Sequence, residues 1–266
     1  MLTHQTEEKL HDLKLEGMLI AFQEQLADSS KMSHLSFEER FGFVVDRQWL
    51  LRLEKQSTRR LKAARLRHQA CMEDVDYRHP RGLDRGQFLD LGTCRWVRAH
   101  RNLIITGATG LGKSWLACAL ADKACRDGLT SAYYRVPRLV QQLAFARADG
   151  SFFKLLAGLA KTDLLVMDDW AIGRLEGQAQ QDILEVIDDR AGIRSTILLS
   201  QVAINKWHDT IGDPLVADAI LDRVLGAATK IKLKGETMRK EAVEEDATAD
   251  PKPTENVTVT NQKGPR

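Results

Sequence analysis

The chain lacks the cysteine spacing that would hold a metal or cross-link a small fold. Its four cysteines, Cys71, Cys94, Cys118 and Cys125, form no CxxC pair and have no histidine-rich spacing beside them. They read as reduced thiols of a reducing compartment. No apolar run nears the roughly 20 residues that a bilayer-spanning helix needs. The first thirty residues are dotted with Glu, Lys and Asp, which excludes a secretory signal. Charge of one sign is also missing: Lys+Arg 39 against Asp+Glu 37 leaves a net +2. The global balance therefore names no partner. There is no internal repeat. Together these absences predict a soluble, cytoplasmic protein without membrane association.

What is present is a sizeable core. The 266 residues are 43% hydrophobic, enough for one large domain plus an appendage. Residues 5–27 carry Leu10, Leu13, Met18, Leu19, Phe22 and Leu26 on one helical stripe. Ser36-Phe-Glu-Glu39 is an S-x-x-E capping box, and it predicts a helix running toward residue 66. Residues 76–86, with Pro, two Gly and several Arg or His, read as a linker.

From residue 101 the texture changes. Strand-like runs (RNLIIT, SAYYRV, DLLVMD, STILLS, KIKL) alternate with helical patterns at 113–127, 137–160, 176–191 and 215–226. Such alternation predicts an α/β fold, a mostly parallel sheet with helices on both faces. The span 137–160 is long for one crossover helix, and Asp149-Gly150 should divide it in two. After residue 241 the chain is polar and proline-bearing, which predicts a disordered tail.

Gly107-Ala108-Thr109-Gly110-Leu111-Gly112-Lys113-Ser114 fits G-x-x-x-x-G-K-[ST]. A strand precedes it and a helix follows, continuing through Trp115, which is the context the mechanism requires. The glycines let backbone N–H groups turn inward around an anion, and the helix start adds partial positive charge. Lys113 is expected to reach the β- and γ-phosphates of ATP, and Ser114 to ligate Mg²⁺. LLVMDDW at 164–170 ends an apolar run in two adjacent carboxylates, a costly arrangement unless a cation lies nearby. In P-loop NTPases such a strand is expected beside the one feeding the loop. Asp168 would hold the Mg²⁺, and Asp169 would orient or deprotonate the attacking water.

Through these motifs the chain resembles the IstB-like family of insertion-sequence ATP-binding helpers. That family is related to DnaC helicase loaders and, more widely, to initiator-type AAA+ ATPases. KLHDLKLEGM, GATGLGKSWLACAL, LLVMDDW, STILLSQ, WHDTIGDPLVADAILDRV and KGETMRK carry the resemblance, which spans about residues 5 to 240. It implies an AAA+ core at 101–240, a helical N-terminal domain at 1–68 for oligomer, partner or DNA contacts, and a connecting segment at 69–100. The tail is 241–266, and a helical lid should be absent or minimal. It implies Ser200 or Gln201 as the polar sensor of γ-phosphate, Arg223 as an arginine finger acting on a neighbouring subunit's ATP, and Arg239 at a second sensor position. Arg190 and Arg194 are rival fingers. Family members usually carry Glu where this chain has Asp169, one methylene shorter.

The implied function is an ATPase that self-associates on duplex DNA and assists a cognate transposase. The alternative is a DnaC-type helicase loader. Two basic segments are candidate DNA contacts. The first, 47–67, places Arg52, Lys55, Arg59 and Lys62 near one helical face. The second, at 137–161, offers Arg138, Arg147, Lys154 and Lys161, of which Arg147 and Lys154 are preferred.

Overall fold

A computed structural model describes residues 2–28, 34–226 and 228–238. Arg239 and the segment 241–266 lie outside the described residues, as does any structure expected of them.

The sheet is built from the apolar runs. β1 (Leu103–Thr106), β2 (Ser131–Arg135), β3 (Leu164–Trp170), β4 (Ser195–Ser200) and β5 (Thr229–Lys232) form one parallel sheet in the order β2-β3-β4-β1-β5. Burial follows this order. Every residue of β1 and β4 is buried, as continuous apolar runs in the middle of a two-faced sheet demand. The edge strands β2 and β5, SAYYR and TKIK, keep exposed residues. One expectation is corrected: the acidic strand β3 does not adjoin the P-loop strand β1, because β4 lies between them. The carboxylates still arrive beside the loop, since all five strands point the same way and end on one rim.

Alternate strand residues feed two cores. Ile104, Leu165, Met167 and Leu198 pack under α7 (Val136–Asp149), α8 (Phe152–Lys161), α9 (Gln178–Asp188), α10 (Trp207–Ile211) and α11 (Pro214–Leu225). Leu103, Ile105, Val166 and Leu199 face the other way, toward α4 (Arg85–Leu91), α5 (Arg95–Arg98) and α6 (Lys113–Arg126). Gly150, left-handed at φ 78°, separates α7 from α8 where the sequence placed the break. The segment 69–100 carries core side chains of its own: Phe88, Leu91, Trp96 and Val97 are all buried.

The N-terminal region is helical: α1 (Leu2–Asp12), α2 (Glu16–Ala27) and α3 (Phe37–Ala64). The single stripe expected over 5–27 is two helices. Lys14 is left-handed at φ 56°, Leu15 N–H donates to Leu10 O, and Lys14 N–H donates to His11 O. That pair of bonds is a Schellman closure, with lysine in the place usually held by glycine. It turns Leu13 outward, 66% exposed. The capping box opens α3 as expected, with Glu39 N–H donating to Ser36 Oγ at 3.2 Å and Ser36 N–H to Glu39 Oε2 at 2.8 Å. Gln48 Oε1 of α3 accepts from the Gly17 and Met18 N–H groups of α2. The far half of α3 packs on α6 and β2, where Ala64 is fully buried.

Candidate functional site

The P-loop leaves β1 at Gly107 and enters α6 at Lys113. Gly110 and Gly112 stand at φ 88° and 79°, conformations that side-chain-bearing residues resist. A Cβ on Gly110 would sit 1.9 Å from Thr237 Oγ1, and one on Gly112 would sit 2.6 Å from Arg81 Nη1. Two segments thus press on the loop. Met238 N–H donates to Gly110 O at 3.1 Å, and Lys234 N–H donates to Arg81 O at 2.9 Å. The KGETMRK motif therefore lies across the P-loop through residue 238. No helical lid follows β5 among the described residues.

Lys113 is buried, and its ammonium donates to Gly107 O and Ala108 O, each at 2.8 Å. Ser114 Oγ donates to Asp168 Oδ2 at 2.6 Å. Tyr133 O–H also donates to Asp168 Oδ2, and the Arg67 guanidinium stands 3.8 Å from the same oxygen. Burial first, and then the bond to Asp168, push the Tyr133 hydroxyl well above its ordinary pKa, so it is a neutral donor. The Arg67 pKa is raised, chiefly by its hydrogen bond to Tyr133.

Asp169 takes φ 60°, and Ala171 takes φ 59°. Asp169 N–H donates to Asp168 Oδ1 at 2.7 Å, and Arg135 Nε donates to Asp169 Oδ2 at 2.5 Å. Left-handed backbone at two non-glycine residues costs of order 1–3 kcal/mol each and concentrates at functional sites. A register shift in the β3–β4 pairing between Met167 and Trp170 accompanies the turn.

Lys113, Ser114, Asp168, Asp169, Thr109, Gln201, Trp115, Gly110 and Gly112 converge on one open cavity of about 460 Å³. Arg67, His68, Asp74, Asp76, Arg81 and Met238 line it as well. The volume and the phosphate-sized cradle at one end suit a nucleoside triphosphate. Ser114 Oγ and the Asp168 carboxylate are hard oxygen donors side by side at the cradle's mouth, the donor type Mg²⁺ selects. These residues fit that ion.

The two sensor candidates part company. Ser200 is buried, with Oγ donating to Trp170 O at 2.7 Å and accepting from Val202 N–H. Gln201 lines the cavity and accepts from Thr109 Oγ1 at 2.6 Å. Gln201, not Ser200, faces the loop.

Other predicted residues lie elsewhere. Arg223 is on α11, pairs with Asp188 and donates to Ala219 O. Its own carbonyl accepts from Asn102, at the opposite end of β1 from the P-loop. It does not line the nucleotide cavity. Arg190 is consumed by the fold: it is 2% exposed and donates to Leu159 O, Thr162 O, Ser195 O and Thr196 Oγ1. Burial lowers its pKa to about 10. Arg194 is paired with Asp163 at 3.6 Å.

Among the DNA candidates, Arg147 is engaged within the fold. It pairs with buried Asp182 at 2.7 Å and with Glu185 at 3.3 Å, and it stacks on Phe152 at 3.6 Å. Its charge is neutralised where it stands. Lys154 is exposed, as are Arg52, Lys55, Arg59 and Lys62 on α3, although Lys55 is paired with Glu16 of α2.

Sequence reasoning missed Arg67, Arg81, Tyr133 and Arg135. Arg81 is 2% exposed and braces the loop from behind, Nη1 donating to Leu111 O at 3.1 Å. Arg135 ends β2 in register with Asp168 on β3, a pairing visible only once strand order is known.

The family profile described as "IstB-like ATP binding protein" matches residues 8–246. An insertion-sequence ATP-binding protein of Sinorhizobium fredii is 48% identical over 240 residues, covering 90% of this chain and 98% of the relative. The corresponding protein of insertion sequence IS1162 from Pseudomonas fluorescens is 48% identical, with 76% and 87% covered. An insertion-sequence ATP-binding protein of Mycobacterium tuberculosis is 31% identical, with 86% and 92% covered. Among solved structures, DnaI superposes with TM-score 0.54 at 20% identity, covering 62% of this chain and 92% of that one. AMPPCP-bound DnaA from Aquifex aeolicus superposes with TM-score 0.53 at 20% identity, covering 71% and 59%. At that identity the likeness concerns the fold alone, a parallel sheet with helices on both faces.

Proposed function

Because the chain belongs to the IstB-like ATP-binding protein family, we propose that it is an ATPase that assembles on duplex DNA and helps a transposase choose its target and transfer strands. The observation that carries the reading is the Ser114–Asp168 contact at the mouth of the P-loop, in a chain so similar to insertion-sequence ATP-binding proteins.

In this reading the backbone N–H groups of Gly107–Ser114 surround the β-phosphate, and Lys113 leaves the carbonyls of Gly107 and Ala108 for the β- and γ-phosphate oxygens. Ser114 and Asp168 would hold Mg²⁺, which would neutralise charge on the triphosphate. Asp169 accepts the proton of the attacking water once Arg135 releases it. Its side chain is one methylene shorter than glutamate, so slow turnover is expected. Gln201 senses the γ-phosphate from the P-loop side. Arg223 leaves Asp188 to reach a neighbouring copy's ATP, where a planar, permanently charged guanidinium offsets the charge of the transferred phosphoryl group.

With ATP shared between copies, nucleotide and assembly stabilise each other by mass action. Arg52, Arg59, Lys62 and Lys154 supply cations for the DNA backbone. Such contacts hold the duplex without reading its sequence.

The reading is tested with purified transposase, target duplex and ATP. Strand transfer should rise on addition of this protein and fall back with Asp168→Asn. No stimulation by the intact protein, together with loading of a replicative helicase onto single strands, would favour the helicase-loader alternative instead.

A further inference from the structure

Outside the nucleotide cavity, a groove of about 630 Å³ runs between the C-terminal half of α3 and the edge strand β2. Arg59, Lys62 and Arg65 line one side, Tyr133 and Tyr134 the other, over a floor of alanines. Among the described residues no carboxylate lines it. Among the described residues none of the three cations is ion-paired, whereas Lys55, on the same helix, is neutralised by Glu16. Three unneutralised charges along one open channel attract a polyanion, and small floor residues leave room for its backbone.

Tyr133 belongs to two places at once. It forms a wall of this groove, and its hydroxyl donates to Asp168 Oδ2, the oxygen that also accepts from Ser114. Arg65 adds a second thread. It lines the groove, closes α3 in the left-handed conformation at φ 49°, and stands two residues before Arg67, which faces the same carboxylate. The groove and the P-loop therefore share one carboxylate through a hydroxyl and a guanidinium.

We propose that this groove seats a phosphodiester backbone and that Tyr133 and Arg67 link its occupancy to Asp168, so that nucleic acid and ATP bind cooperatively. An anion in the groove draws the guanidinium of Arg67 and shifts the Tyr133 wall, which changes the donors on Asp168. Linkage makes the effect reciprocal: whatever factor DNA adds to ATP affinity, ATP adds to DNA affinity. The proposal rests on the DNA-binding reading above.

Fluorescence anisotropy with a labelled duplex, over a salt series and with or without a non-hydrolysable ATP analogue, tests it. In the intact protein, saturating analogue should tighten DNA binding at least about fivefold. Replacing Arg59, Lys62 and Arg65 together by Ala should lower the slope of log affinity against log salt by about 2.7, at about 0.9 per phosphate contact. Tyr133→Phe keeps the ring and removes the hydroxyl. It should bring the ratio of DNA affinities with and without the analogue down to about one, and Arg67→Gln should do the same, whatever either variant does to DNA affinity without nucleotide. An unchanged salt slope in the triple variant overturns the groove as a DNA site and leaves it to an acidic protein surface. Full tightening in both Tyr133→Phe and Arg67→Gln overturns the link. Absence of DNA binding by the intact protein overturns the parent reading along with the groove.

Discussion

The sheet core and the N-terminal helices of this chain are built on opposite terms. In the core the central strands are closed on both faces: Ile104, Met167 and Leu198 are each 0% exposed. In α3, Phe37 is 68% exposed, Phe43 54% and Trp49 62%, and only Val44, Gln48 and Ala64 are buried. A monomer seldom leaves such an apolar face open without a use for it. The contrast separates two tasks. The phosphate cradle, its lysine and both carboxylates are assembled within one chain and need nothing from outside to be held in place. The helices of residues 2–28 and 34–64 carry an open apolar face, with α3 anchored to the core at its far end through Ala64 and through Arg60 Nε donating to Cys125 O at 2.8 Å.

The contrast can be tested from its strongest consequence downward. Arg223 does not line the nucleotide cavity, and its carbonyl accepts from Asn102 at the opposite end of β1 from the P-loop; the proposed role in a neighbour's site makes it the strongest test. Arg223→Ala should cut turnover by about 10³-fold, the scale of an arginine finger, while equilibrium dialysis finds ATP affinity intact. Mixing it with a Lys113→Ala subunit should restore part of the activity. Failure to do so would mean that each chain hydrolyses ATP alone.

Next in size, Lys113→Ala removes a charge-assisted contact worth about 1.5–3 kcal/mol per hydrogen bond and should weaken ATP binding by about 10²-fold in titration calorimetry. Unchanged affinity would remove the cradle from the account. The two regions should also differ in stability. Leu198→Ala should cost about 2–5 kcal/mol in urea unfolding. Trp49→Ala, made in the open face, should cost under about 0.5 kcal/mol and leave ATP affinity unchanged. A large loss from Trp49→Ala would show that the face is closed within the single chain.

These two regions also differ in how much the sequence disclosed. The P-loop is a local pattern of eight residues between a strand and a helix, so its chemistry is legible without neighbours. The two carboxylates are legible for the same reason, since a charge pair at the end of an apolar run demands a cation. Burial of β1 and β4 against the exposed residues of β2 and β5 follows from LIIT and STILLS against SAYYR and TKIK. What was hidden depends on tertiary register. The insertion of β4 between β1 and β3 leaves no local trace. Arg67 sits in a basic run whose density suggests only DNA, yet it faces Asp168. Arg81 lies in a Pro- and Gly-bearing stretch that reads as a linker, yet it is buried against the P-loop. The break at Lys14 was illegible because lysine, not glycine, takes the left-handed turn.

The account stands on one triphosphate binding between copies of this chain and so building an assembly on DNA. The direct measurement is mass in solution, by analytical ultracentrifugation, of the intact protein with and without ATP, magnesium and duplex DNA. A single-copy or small species is expected without nucleotide, and a large assembly when all three are present, lost in Lys113→Ala. A lone monomer at saturating ATP and DNA would contradict it.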